Sequence, residues 1–166
     1  MIFVTTGTLS LPFPRLINAI INLYKHQTNE KVIIQTGNYT PSNPAKHIIT
    51  QPYFSFKQMI KYFQTADLVI SAAGEASVFL ILQHSKNMPI FIPRLKKFNE
   101  HVDNKQLIIS RYLKKHQLAQ VVTDISLLKN HLKKPKTNPS KINQNSPHKT
   151  PHLTNLLQHL SQITQP

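Results

Sequence analysis

Short apolar runs alternate along this chain with segments whose apolar residues recur at helical spacing, and that alternation constrains the fold more than any other feature. Ile2–Thr5 is an apolar run that ends in Thr5-Thr6-Gly7-Thr8, a strand followed by a turn. Phe13, Leu16, Ile17, Ile20, Ile21 and Tyr24 then follow a helical period, with Pro12 and Pro14 suited to a helix start. Val32–Gln35 reads as the next strand, stopped at Gly37; 41–44 is a loop and 47–49 a short strand. Ser55 is placed to cap a helix carrying Phe56, Met59, Ile60 and Phe63 on one face. The run 67–71 reads as a buried strand that meets Gly74 at the turn into another helix. Residues 89–92 follow as a strand, 94–100 as a loop and 101–116 as a helix. Val121 and Val122 form a last short strand, and Asp124 caps a final helix running to Leu132. Strands separated by single helices predict an α/β fold whose parallel sheet is closed by right-handed crossovers. Ligands of such sheets sit beyond the carboxyl ends of the strands.

This pattern occupies residues 1–132, one domain with a core of its own. The composition changes at Lys133. Residues 133–150 are rich in Lys, Pro, Asn and Ser and read as a basic linker. Within 151–166, Leu153, Leu156, Leu157, Leu160 and Ile163 form one apolar stripe of a short amphipathic helix. That helix suits docking on the domain, or on a partner or membrane surface. Lys133, Lys134, Lys136, Lys141 and Lys149 lie in a stretch with no acid, so the tail is expected to favour an anionic surface.

Twenty Lys and Arg face six Asp and Glu, a formal charge of +14. Such a field attracts phosphates, nucleic acid or an anionic membrane. A nucleic-acid binder is disfavoured by the lack of an RNP-like aromatic pattern, of zinc-finger spacing and of aromatics among the tail lysines. The absence of cysteine excludes disulfides and thiolate metal sites. The first residues carry no basic leader with a cleavage site. No apolar run approaches the roughly 20 residues needed to span a bilayer. A soluble, cytoplasmic protein is the expectation.

Two constellations could carry chemistry. The chain has three glycines where average usage gives roughly a dozen, and all three follow expected strands: Gly7, Gly37 and Gly74. Gly7 and Gly74 open loops that lead into helices, whose free amides suit an anion. Plain turn-making accounts for each glycine equally well, and neither loop is a GxGxxG or a phosphate-loop motif. The second constellation is the polar segment 93–106, beyond a strand end, with Glu100, His101, Asp103 and Gln106. Polar side chains this dense suit hydrogen bonding to a sugar or ribose. The same residues also suit a helix start, with Lys96 and Lys97 as solvated surface.

MIFVTTGT with PFPRLI, then VIIQTG, then ADLVISAAG, then PIFIPRLKKFNEHVDNKQ, resemble in order and spacing the C-terminal domain of glycosyltransferase family 28. The resemblance is to its short, free-standing versions, the small subunits of bacterial exopolysaccharide glycosyltransferases and the cytoplasmic subunit of the dolichol-linked N-acetylglucosamine transferase. It implies a single Rossmann-like domain, the C-terminal donor-binding half of a GT-B enzyme. Carried over by motif, Thr6, Gly7, Thr8, Gly74, Ser77, Asp103 and Gln106 are expected to bind a UDP-sugar, with His101 and Glu100 at the catalytic cleft. The chemistry implied needs no metal or other cofactor, because backbone dipoles and cations neutralise the leaving diphosphate.

Three positions depart from the family pattern. Ala72 stands where many relatives have His, Leu80 lies near the position of a ribose-holding carboxylate, and Glu75 occupies a usually small position. One sheet is half of a GT-B enzyme, so a membrane-anchored, acceptor-binding subunit and a lipid-linked acceptor are implied as partners. The chain would then sit at the cytoplasmic face of the membrane through that partner. The competing expectation is a subunit that enhances or positions a catalytic partner without transfer activity.

Overall fold

The computed structural model describes residues 1–132 together with Asn155 and Gln158. The expected linker and amphipathic helix of the tail lie outside the described residues, except that Asn155 and Gln158 are helical and exposed. Within residues 1–132, six strands and five α-helices follow in the order β1 (Ile2–Thr5), α1 (Pro14–Tyr24), β2 (Val32–Gln35), β3 (Ile48–Gln51), α2 (Phe56–Thr65), β4 (Leu68–Ala72), α3 (Glu75–His84), β5 (Ile90–Ile92), α4 (Lys105–Lys115), β6 (Gln120–Val121) and α5 (Leu128–His131). The strands form one parallel sheet in the order β3-β2-β1-β4-β5-β6. In β1, Ile2 stands in register with Val32 on one side and Leu68 on the other, and Thr5 with Gln35 and Ser71. The carboxyl ends of the three central strands are therefore level. Chain direction across the sheet reverses between β1 and β4, the place where such sheets open a crevice for ligands.

Period-2 alternation sends the strand residues into two cores. Ile2, Val4, Ile34, Ile70, Ile90 and Ile92 meet Leu16, Ile17, Ile20 and Ile21 of α1, with Leu128 of α5, on one face. Phe3, Ile33, Val69 and Phe91 meet Phe63 of α2, Val78 and Ile81 of α3, and Ile109 and Leu113 of α4 on the other. Burial on both faces is why the four inner strands, β1, β2, β4 and β5, read as apolar runs rather than as alternating ones.

Pro14 stands in the first turn of α1, where its missing N–H costs nothing. Ser55 begins α2 with a full capping box: its Oγ accepts from the Gln58 amide (3.3 Å) and Gln58 Oε1 accepts from the Ser55 amide (3.0 Å). Two expectations need correcting. Phe56 is 68% exposed, because it occupies the first position of α2, where the stripe has not yet turned toward the sheet. The helix expected at 101–116 begins at Lys105. Residues 99–104 are held in loop form, with Asn99 left-handed (φ 56°) and Asp103 Oδ1 accepting from the Lys105 amide at 2.9 Å.

Candidate functional site

The turn after β1 is built from two threonines and a glycine. Thr5 and Thr6 are buried, and Gly7 has φ +75°, a conformation costly to any residue with a Cβ. The Gly7 amide donates to Thr5 Oγ1 (3.1 Å). Gln35, at the end of β2, fixes this turn from the side: its Nε2 donates to Thr5 Oγ1 and to the Gly7 carbonyl, each at 3.1 Å. Its Oε1 accepts from the Phe54 amide. A Cβ placed on Gly7 would lie 3.5 Å from Ser77 Oγ, so the turn after β1 faces the first turn of α3 directly.

Gly74 is the residue before α3, and α3 begins without a side-chain cap. Its first-turn amides and the positive end of the helix dipole stand at the switch between β1 and β4. Glu75, at the first helical position, is exposed. Behind Gly74, a built Cβ would lie 3.9 Å from Gln106 Nε2. Gln106 is 6% exposed, and its Oε1 accepts from the Arg94 amide at 3.0 Å, which leaves the amide nitrogen toward Gly74.

Arg94 ties these pieces together. Its guanidinium is buried and donates to four carbonyls: Nη1 to Leu11 (2.7 Å), Pro12 (3.2 Å) and Glu100 (3.1 Å), and Nη2 to Thr6 (2.9 Å). The plane lies 4.7 Å from the centre of the Phe13 ring. Burial lowers its pKa to about 10, opposed by the nearby Glu100 carboxylate, so the group stays cationic at neutral pH. One side chain thus joins the loop after β1 to the loop after β5. Glu100, 2% exposed, receives a two-point fork from Arg15 (Nε to Oε1 and Nη2 to Oε2, both 2.8 Å) and the Leu95 amide at 3.0 Å. Both carboxylate oxygens are thereby engaged within the loop. His101 Nδ1 lies 2.9 Å from Asp103 Oδ1 and 3.2 Å from the Asp103 amide nitrogen. Protonated, it donates to the carboxylate; unprotonated, it accepts from the amide. Either way Nδ1 is satisfied locally, and Nε2 has no partner among the described residues.

Of the residues named from sequence, Thr6, Gly7, Gly74, Ser77 and Gln106 come together at the carboxyl ends of β1, β4 and β5. Glu100, His101 and Asp103 lie in the adjoining loop, with Asp103 before the helix instead of within it. Thr8 is exposed. Sequence reasoning missed Arg94, Arg15 and Gln35. Arg94 had one visible signal, a single charge set directly against the buried run Ile90–Ile92 and before the buried Leu95. Among the described residues no three His, Asp or Glu side chains cluster at metal-ligand spacing.

The glycosyltransferase family 28 C-terminal domain matches this chain over residues 1–160. Among solved structures, one described as the glycotransferase of kitacinnamycin superposes with a TM-score of 0.57 over 97% of this chain, at 11% identity. The likeness at that identity is one of fold, and this chain spans 39% of the length of that structure. No curated protein sequence matches.

Proposed function

The chain belongs to glycosyltransferase family 28 through its C-terminal domain, and on that premise we propose that it binds a nucleotide-sugar donor, a UDP-hexose or UDP-N-acetylhexosamine, for transfer to an acceptor held by a second subunit. The observation that carries this reading is the meeting of three loops at the β1/β4 switch, where such sheets bind ligands. There the positive-φ turn at Gly7 faces Ser77 in the uncapped first turn of α3, and Gln106 Nε2 closes the far side of Gly74. The diphosphate takes the α3 amides and the Gly7 turn, where dipoles already point at the position of the leaving charge. The Gln106 amide reaches the sugar. Exposed Glu75 turns to the ribose hydroxyls and away from the phosphates. His101 offers Nε2 to the cleft, and Glu100, through Arg15, keeps the loop that presents it in place. In this reading the acceptor and its general base come from a membrane-anchored partner with a lipid-linked acceptor. The product is a glycolipid of polysaccharide assembly.

Calorimetric titration of the full chain with UDP and with UDP-sugars tests the donor reading. The wild type is expected to bind a UDP-sugar more tightly than UDP. Gln106→Ala is expected to erase that advantage, worth about 1 kcal/mol for one hydrogen bond to an uncharged hydroxyl, while UDP itself binds nearly as before. Lys25→Ala, at the far end of α1, should change neither. Absence of UDP binding would sink the donor reading, and an equal loss for UDP and UDP-sugar would remove Gln106 from the sugar. Transfer to a lipid-linked acceptor is expected only with the partner present. Robust transfer by this chain alone would contradict the two-subunit arrangement.

A further inference from the structure

On the other side of the β5–α4 loop from Gly74 the molecule has a second opening, a cavity of about 750 Å³. It exists because β6 is two residues long: the strand ends early, and α4 on one face of the sheet is not sealed against the 3₁₀ turn Ile125–Leu127 on the other. Leu107, Ser110, Arg111 and Lys114 recur at i, i+3, i+4 and i+7 and form one wall from α4. Leu95, Val121 and Ile125 supply an aliphatic floor, with Phe98 at the rim.

The charges lining this groove are unequal. Arg15 is committed to Glu100. Lys97 lies over the Phe98 ring (4.9 Å) and near enough to Asp124 to act on its carboxylate, whereas Arg111 and Lys114 have no ion pair among the described residues. Asp124 is the one acid in the wall, and its carboxylate is turned to Ser126, whose hydroxyl and amide hydrogen bonds, with a smaller contribution from the Arg15 and Lys97 charges, hold it below the usual carboxylate range. Ser110 adds an independent observation. It is 1% exposed, and its Oγ is buried without a hydrogen-bond partner, an arrangement that destabilises a protein unless something else uses the hydroxyl. A serine turns about a single bond, so Ser110 can present that hydroxyl to a ligand oxygen in the groove.

We propose that this groove binds a phosphate ester carried on an aliphatic chain. Two unpaired cations, Arg111 and Lys114, with Lys97 beside them and a hydroxyl, suit a multiply charged oxyanion, arginine and lysine being the usual phosphate donors. The aliphatic floor suits a saturated or branched stem rather than a base. The remainder of this chain is a poor occupant: no acid follows Asp124, and five lysines lie within 133–149, so it brings like charge. The inference stands apart from the donor reading, since Gly7, Gly74, Ser77 and Gln106 are not in the lining of this groove.

Octyl phosphate below its micellar concentration, inorganic pyrophosphate, and phosphatidylcholine vesicles containing phosphatidylglycerol are titrated against the full chain. Octyl phosphate is expected to bind more tightly than pyrophosphate, and equal affinity would overturn the aliphatic part of the proposal. The double variant Arg111→Ala/Lys114→Ala should lose about tenfold or more in affinity, the scale of one charge-assisted hydrogen bond. Lys57→Ala/Lys61→Ala, an equal loss of charge on exposed α2, should lose less than about twofold. Equal losses would show attraction by net charge alone and overturn the site. Ser110→Ala should weaken octyl phosphate severalfold while leaving the melting temperature unchanged or raised, a split that a purely structural serine does not give. Vesicle binding without binding of the monomeric ester would also overturn a discrete groove. UDP affinity should be unchanged in every groove variant. If it falls with octyl phosphate affinity, the groove is itself the donor site and this proposal fails, whereas loss of UDP binding in the wild type alone fails only the donor reading.

Discussion

Arg94→Met is expected to lower the unfolding free energy by about 4 kcal/mol, because it leaves the buried carbonyls of Thr6 and Glu100, and the part-buried ones of Leu11 and Pro12, without their donor. Two effects oppose each other. The variant no longer buries a cation, and the lowered pKa of Arg94 shows that its burial carries a cost. Against this, each stranded buried acceptor costs about 1–3 kcal/mol, and those of Thr6 and Glu100, with smaller losses at Leu11 and Pro12, outweigh one relieved charge. The loss corresponds to a fall in melting temperature of roughly 10–20 °C for a domain of this size. Arg94→Lys should recover only part of it, since an ammonium cannot span acceptors on both loops as a planar fork does. Circular dichroism melting of the full chain gives the stability. UDP affinity should fall further than the fraction of unfolded protein explains, because the Gly7 turn loses its tether to the β5–α4 loop. A variant that melts with the wild type would show that Arg94 is not a keystone.

Glu100→Ala is the second large effect, expected at about 3 kcal/mol, the lower end for breaking a buried pair because Arg15 keeps 14% side-chain exposure and can reach water. Glu100→Gln should cost nearly as much. Three N–H groups, two from Arg15 and one from Leu95, converge on the carboxylate, and a carboxamide must turn its own donor toward one of them. Arg15→Met with Glu100→Met should be less destabilised than the sum of the single variants, giving a coupling energy of about 1–3 kcal/mol in a double-mutant cycle. Additive single effects would mean that the fork seen between these residues contributes little.

The four inner strands were legible because burial on both faces leaves them as apolar runs, and every strand, from Ile2–Thr5 to Gln120–Val121, lies within a residue or two of its expected place. Helix α1 was legible from the stripe through Leu16 to Tyr24, and α2 from Ser55. The start of α4 was not. Glu100, His101 and Asp103 have ordinary helix-start chemistry in one dimension, but Glu100 is pulled to Arg15, 85 residues earlier, and the chain turns to let it reach. Arg94 was hidden for the same reason: carbonyl acceptors belong to every residue and leave no trace in side-chain pattern. The expected gathering of Gly7, Gly74, Ser77 and Gln106 rested on motif order, and the topology brings these four together because β1, β4 and β5 are neighbours in space.

The central place of β1 has a consequence for how the chain is made. Ile2–Thr5 is synthesised before the other five strands of this sheet, yet it needs both β2 and β4 as neighbours. After Gln35 has emerged, one edge of β1 is covered, and the other waits until Leu68–Ala72 arrives. At about 5–20 residues per second, the usual rate of synthesis, that interval lasts roughly 2–7 s. Throughout it the nascent chain carries an open, apolar strand edge, Ile-Phe-Val, of the kind that pairs with other chains. The vulnerable species is therefore not the finished domain but a ribosome-bound half sheet, and slowing translation between codons 36 and 72 should lower soluble yield more than slowing it after codon 92.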